Sequence, residues 1–254
     1  MIAVQEWFAK NGEMCKKNQA VCVICQSNLF RLNKLEKNMI DLHTHTIFSD
    51  GELVPSELVR RAVDKGYQAI AMTDHADLSN LDFIVPRMVK VCKQLGEAGA
   101  IRVLPGIELT HVPPAHIGEL AKEARRLGAQ IIVVHGETIV EPVKEGTNLA
   151  AVASDIDILA HPGLVTDEVA VLAAKNGICF EVSTRKGHSL TNGHVVRCAR
   201  KHDVPLVLNT DSHAPGDLVT KGFARMVAAG AGLGEDEIDR MYQNAEQLLR
   251  RKHF

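Results

Sequence analysis

From Met39 onward the chain alternates between two hydrophobic periods, and that alternation constrains its fold more than any other feature. Apolar runs of strand length stand at Ile40–Leu42, Ala69–Met72, Val103–Ile107, Ile131–Val134, Ile156–Ala160, Ile178–Val182 and Pro205–Leu208. Between them the spacing predicts helices over Pro55–Lys65, Leu81–Leu95, Pro114–Leu127, Asp167–Asn176 and Asn192–His202, then a C-terminal pair over roughly Leu218–Ala228 and Glu235–Arg250. Prolines open two of these segments and Gly66, Gly128 and Gly177 close three, as suits the first helical turn and the left-handed position after the last one. Such repetition predicts an α/β fold with a parallel sheet and helices outside it, either doubly wound or closed into a barrel. The segment from Gly136 to Asn148 shows no helix of its own and is expected to cover part of the mouth.

The polar residues at the ends of the runs decide between those architectures. The first run delivers His43 and His45, followed by Asp50; the second ends in Thr73-Asp74-His75-Ala76-Asp77; the third reaches Glu108. The fourth gives His135, the fifth His161, the sixth Glu181 with Arg185 close behind, and the seventh Asp211 and His213. An open doubly wound sheet gathers ligands at one crevice, whereas a barrel can place a functional residue at the C-terminal end of nearly every strand. The expectation is therefore a (β/α)7 barrel with all these side chains at one mouth.

Imidazole and carboxylate without thiolate suit zinc, manganese or iron better than calcium or magnesium, which prefer oxygen alone. Nine candidate ligands, His43, His45, Asp50, His75, Glu108, His135, His161, Asp211 and His213, are too many for one ion. Two or three divalent metal ions are expected, each with about three or four protein ligands. Asp50 has a competing reading as a turn or capping residue before the first helix, and Arg185 one as a surface ion pair. Asp74 and Asp77 are expected to orient ligand imidazoles rather than to ligate. His111, His116, His194, His202 and His253 are assigned no part in the chemistry, and Lys186 and His188 are weaker candidates than Arg185.

Composition excludes several function classes. The 254 residues carry 29 basic and 31 acidic side chains, a formal net charge of -2, with the two signs interspersed. That balance fits neither a nucleic-acid coat nor a membrane-surface protein, although a few local cations can hold a small anion. Aromatic residues make up 4%, which argues against a base-stacking platform and stable nucleic-acid binding. No run approaches the roughly 18 apolar residues of a membrane helix. The six cysteines, Cys15, Cys22, Cys25, Cys92, Cys179 and Cys198, are scattered and follow no secretory signal, so a reducing cytoplasm is the expected compartment. Residues 1–38 do not join the alternation. They read as an N-terminal extension, loosely packed or added by an early start assignment, in which Cys22-Val-Ile-Cys25 is half of a metal site with Cys15, short of a nearby fourth ligand, or a redox pair.

In their order, His43-Thr-His45, Ser49-Asp50-Gly51, Thr73-Asp74-His75, Gly106-Ile107-Glu108, the isolated His135, His161-Pro162-Gly163 and Asp211-Ser-His213 resemble the successive motifs of the PHP domain, the polymerase and histidinol phosphatase superfamily. The resemblance runs from Met39 to about His213. It implies a distorted seven-stranded barrel, a three-metal site and hydrolysis of phosphate esters by a metal-activated hydroxide. By position it implies that His43, His45, Glu108 and Asp211 hold one ion. Glu108 would bridge to a second with His135 and His161, and Asp50, His75 and His213 would hold a third. Some family members place a histidine where this chain has Asp50. Catalysis would fall to Glu108, His135 and Asp211, with Arg185 on the phosphate oxygens. No large insertion separates His75 from Glu108, which favours a small phosphomonoester of the histidinol-phosphate type. The alternatives are a nucleotide or short-oligonucleotide phosphoesterase, and a non-catalytic metal-binding module.

Overall fold

Seven parallel strands stand side by side in chain order in the computed structural model, which describes residues 39–252. They are β1 (Met39–Asp41), β2 (Tyr67–Met72), β4 (Arg102–Leu109), β5 (Ile131–His135), β6 (Ile158–Ala160), β7 (Cys179–Ser183) and β8 (Leu206–Asn209), while the two-residue β3 (His75–Ala76) pairs with β4 off this path. The outer strands meet at one end, where Thr44 bridges Ser212, His45 N donates to Ser212 O at 2.9 Å and Asp211 N to His43 O at 3.0 Å. The result is the nearly closed barrel expected, one strand per apolar run.

Helices α1 (Pro55–Asp64), α2 (Leu81–Glu97), α3 (Pro114–Leu127), α5 (Asp167–Asn176), α6 (Asn192–His202), α7 (Lys221–Gly230) and α8 (Glu235–Arg250) match the predicted segments, with α7 opening later than expected, on the Thr220 cap. The short α4 (Thr147–Val152) was not predicted. Six residues do not display a helical period. The expectations for residues 1–38, including Cys15, Cys22 and Cys25, and for His253 lie outside the described residues. Cys92, Cys179 and Cys198 are free and buried. Among the described residues no helix is long and apolar enough to cross a membrane.

The core has two parts. Outward-facing strand residues such as Ile70, Ile107, Ile132 and Phe180 pack with the helix faces. The barrel interior holds Ile40, Leu42, Ala69, Ala71, Leu104, Ile131, Val133, Ile158, Ala160, Cys179 and Val207, joined by Ala245, Leu248 and Leu249 of α8. The C-terminal helix thus caps the apolar bottom, and Arg102 Nη2 ties down Leu249 O at 3.0 Å. Leu249 is 2% exposed, so Leu249→Ala is expected to cost about 2–5 kcal/mol by opening a cavity under the barrel. An unchanged urea midpoint would remove the cap from the stability argument.

Candidate metal centre

Strand alternation carries the polar residues inward. Side chains at every second position share a face, so the interior rows Leu104, Ile131 with Val133, Cys179 and Val207 continue upward into Glu108, His135, Glu181 and Asn209. The same parity leads from Ala69 and Ala71 to His75, and beyond β8 to Asp211. The cluster is the upper layer of the barrel interior. Register keeps it level: Glu108 pairs with His75 on one side and Val133 on the other, and His135 with Ala160.

His43 and His45 lie beyond the end of β1 and need other support. Asp41 accepts from His43 N and Thr210 N, both at 3.2 Å, and from Thr210 Oγ1 at 2.5 Å, fastening the two outer strands together. Burial pushes the Asp41 carboxyl up to about 6 despite these hydrogen bonds. The following loop folds back on His45 so closely that a Cβ at Gly51 would stand 2.6 Å from the His45 carbonyl. His161 and Asp211 take positive φ values of 28° and 51°. Such conformations cost on the order of 1–3 kcal/mol and persist where surrounding structure enforces them.

The donor atoms stand at the spacing of a metal shell. Four ligands at 2.0–2.1 Å around a tetrahedral ion stand about 3.3–3.4 Å apart. His43 Nε2 lies 3.3 Å from Glu108 Oε2 and 3.6 Å from Asp211 Oδ1, and His45 Nε2 lies 3.6 and 3.1 Å from the same two oxygens. Glu108 Oε1 faces His135 Nδ1 at 3.3 Å and His161 Nε2 at 3.7 Å. Asp50 Oδ1 stands 3.5 Å from His75 Nε2 and 3.2 Å from His213 Nε2, with the two nitrogens 3.4 Å apart. All nine sequence candidates are therefore brought together, in groups whose spacing fits divalent ions. Other partitions also occur, because His45 lies near the Asp50 group and His43 and Asp211 lie near His161.

The cluster is poorly satisfied by hydrogen bonds alone. His43 Nε2, both nitrogens of His45, His161 Nδ1 and Glu108 Oε1 are buried with no hydrogen-bond partner. Buried polar atoms left so are costly, and a cation among them removes that cost. Burial, reinforced by neighbouring imidazoles, holds His45 and His161 well below the ordinary histidine value, which leaves them in the neutral form that ligates. Burial opposes a charge on His43, yet Glu181, Glu108 and Asp211 together raise it. Burial lifts Asp211 to about 7, with Glu108 and Glu181 adding repulsion against the attraction of His43.

The supporting contacts differ from the sequence expectation. Asp74 makes no hydrogen bond to an imidazole among the described residues; it accepts from Thr46 N at 2.7 Å, Thr46 Oγ1 at 2.8 Å and Ser49 Oγ at 2.8 Å, holding the loop after β1. Asp77 accepts from Ser79 N and Oγ at the surface. The orienting carboxylate is Glu181, whose Oε2 stands 2.8 Å from His43 Nδ1 and accepts from Asn209 Nδ2 at 2.9 Å. This fixes Nε2 as the His43 nitrogen that faces the other donors. Glu181→Gln keeps the shape but weakens that acceptor, so metal affinity is expected to fall about 10- to 100-fold. Competition with a chromophoric chelator measures it, and wild-type affinity would show Glu181 to be a bystander.

Four further ionisable residues, His111, Glu141, Arg185 and His188, reach the mouth. Glu141, on the loop after β5, lies 2.9 Å from His135 Nε2, 3.4 Å from His188 Nε2 and 3.6 Å from His111 Nε2. His111, set aside from the sequence, shares a positive φ, 53°, with His161 and Asp211. That conformation was the only local signal for it, and no sequence pattern announces it. Arg185 is where the sequence placed it: Nη1 donates to Asp211 O at 2.9 Å and Nε lies 3.5 Å from Asp211 Oδ2.

The sequence profile of the PHP domain matches residues 41–184. The chain belongs to the PHP family. Within it, the chain is 47% identical over 214 residues to an uncharacterised protein of Methanocaldococcus jannaschii, covering 83% of this chain and 98% of that one. It is 28% identical over 214 residues to Ribonuclease P protein component 3 of Methanosarcina mazei, covering 78% and 82%. Among solved structures it is similar to histidinol phosphate phosphatase from Lactococcus lactis, complexed with zinc, L-histidinol and phosphate, with a TM-score of 0.55 and 16% identity over 77% of this chain and 94% of that one. The family and the histidine and carboxylate clusters support divalent-metal binding and a phosphoesterase class of activity.

Proposed function

We propose that residues 39–254 form a metal-dependent phosphoesterase unit acting on a small phosphomonoester of the histidinol-phosphate type. The observation that carries this reading is the set of nitrogen and oxygen atoms spaced 3.1–3.7 Å apart at one barrel mouth, several of them buried without a hydrogen-bond partner. His43, His45, Glu108 and Asp211 would hold one ion, Glu108, His135 and His161 a second, and Asp50, His75 and His213 a third, each zinc, manganese or iron. When bound, such ions supply Lewis acidity and lower the pKa of water into the neutral range.

The protein's own part is positional. Glu108, fully buried, offers one oxygen to each of two donor groups and so fixes their separation. Arg185 lines the mouth, a cavity of 270 Å³ walled by Asp50, His75, His135, Glu141 and Asp211. There its planar guanidinium would hold phosphate oxygens and balance charge gathered in the transition state.

A second reading has its own support: the similarity to Ribonuclease P protein component 3 fits a module that binds a macromolecular partner without turnover. Nucleic acid would then be a partner, against the expectation from aromatic content. The complete ligand set favours the enzymatic reading. The test quantifies bound metal and then follows phosphate release from histidinol phosphate, mononucleotides and short oligonucleotides with Mn²⁺ or Zn²⁺. Fastest release from the small monoester is expected. Release from the nucleotides alone would shift the substrate class, and no release from fully loaded protein would defeat the enzymatic reading.

A further inference from the structure

At the lip of the mouth, three donors stand together of which only one, His135, belongs to the nine. His111 follows β4 by two residues and Glu141 lies on the loop after β5, their side chains 44% and 37% exposed. Glu141 Oε2 stands 2.9 Å from His135 Nε2 and 3.6 Å from His111 Nε2, and the three atoms lie within 4.8 Å of one another. The other oxygen of the same carboxylate is held separately: Oε1 faces His188 Nε2 at 3.4 Å, and His188 Nδ1 is 2.9 Å from Thr138 Oγ1. His111 keeps a φ of 53°, uncommon for a residue other than glycine and enforced by its surroundings, and its ring lines the mouth. His135 is approached from both sides. Its Nδ1 faces Glu108 Oε1 at 3.3 Å on the inner side, while Nε2 faces outward to Glu141. Arg185 is the only arginine or lysine in this wall among the described residues, and it is engaged at the end of β8, with Nη1 2.9 Å from Asp211 O and 2.7 Å from His213 Nδ1. Two imidazoles and a carboxylate with an open side are a donor set for zinc.

We propose that His111, His135 and Glu141 form an additional, exchangeable zinc site at the lip of the mouth, and that an ion held there blocks the way to the inner centre. The blockade rests on the phosphoesterase reading; the site itself does not. Without a lip ion, Glu141 accepts the Nε2 hydrogen of His135 and orients that ring, as Glu181 does for His43. A lip ion takes the place of this hydrogen, which leaves as a proton to solvent, and Glu141 changes from orienting group to ligand. An ion that must displace a proton from a ring already shared with another cation binds more weakly than the inner ions. Two partly exposed ligands leave it positions for water, so it exchanges with solution. Magnesium and calcium, which prefer oxygen alone, are poor occupants of such a site.

Counting bound zinc separates the site from turnover. Chelator-stripped protein is titrated with Zn²⁺ in competition with a chromophoric chelator. Wild type is expected to take up one equivalent at least about tenfold more weakly than the others. His111→Asn, in which asparagine tolerates the left-handed backbone, is expected to lose that equivalent and keep the tight ones, whose retention shows that the variant is folded. Glu141→Gln is expected to lose it as well. Absence of a weak equivalent in wild type, or its retention in His111→Asn, overturns the site. Phosphate release is followed over the same range of zinc. At about ten times its dissociation constant the lip ion is expected to lower wild-type release about tenfold, because only the unoccupied fraction admits substrate, and His111→Asn is expected to escape this loss. Filling of the weak equivalent with undiminished release overturns the blockade. The two readings fail separately: a weak equivalent that depends on His111, in protein that releases phosphate from no ester, defeats the enzymatic reading alone, whereas phosphate release without a weak equivalent defeats the lip site alone.

Discussion

Glu108→Gln is expected to lower phosphate release by about a thousandfold or more and to reduce bound metal by roughly half or more. The side chain is fully buried, and its two oxygens face different partners. Oε2 lies 3.3 Å from His43 Nε2 and 3.6 Å from His45 Nε2, while Oε1 lies 3.3 Å from His135 Nδ1 and 3.7 Å from His161 Nε2. An amide has nearly the same shape but offers one neutral acceptor and one donor, and the donor would point at a cation or at an imidazole nitrogen. The buried carboxylate also interacts with His43 and His75, which hold it well below the usual range against the cost of burial. Metal analysis of the purified variant beside its activity checks the prediction. A variant with full metal content and full activity would remove Glu108 from the centre. Loss of activity with all metal retained would give Glu108 a purely chemical role.

Stripping the metal with a chelator is expected to lower the melting temperature by about 5–15 °C. Ligand present at 100 to 1,000 times its dissociation constant stabilises the native state by about 2.7–4.1 kcal/mol, and for a chain of this size 1 kcal/mol moves the melting point by about 2–4 °C. The cause is local. Without ions, His45 and His161 keep buried nitrogens that no hydrogen bond satisfies, and burial pushes Asp211 to about 7 beside Glu108 and Glu181. The sign of the pH dependence follows. Cation binding requires neutral imidazoles and ionised carboxylates, so protons compete with it, and the gap between loaded and stripped protein is expected to narrow from about pH 8 to about pH 6. Scanning calorimetry at both pH values measures this. Identical melting points with and without chelator would mean that no structural ion is bound.

The candidate ligands were legible because a strand repeats every two residues. Once Leu104, Val133 and Val207 are known to face inward, Glu108, His135 and Asp211 must follow them at even spacing, and their chemistry names the site. His43 and His45 were legible as an i, i+2 pair at the end of an apolar run. Glu181 was visible at its strand end, but its pairing with His43 crosses 138 residues and no local pattern carries that. Asp74 and Asp77 were misassigned for the same reason: a carboxylate next to a ligand in sequence is not thereby next to it in space. Glu141 and His111 come from loops whose course no periodicity sets, and they meet His135 only when the barrel is formed.

The alternation of periods therefore determined, without any structure, the seven barrel strands and their common direction, seven of the eight α-helices among the described residues and the residue types at the mouth. Side-chain parity along a strand and helix period are local properties, and local properties are written in local sequence. Tertiary structure alone decided which donors share a group, which carboxylate orients His43, how α8 closes the barrel floor and that Arg185 holds the Asp211 carbonyl. Each of those depends on distances between residues far apart in the chain, which are set only when the outer strands meet through Asp41 and Thr210.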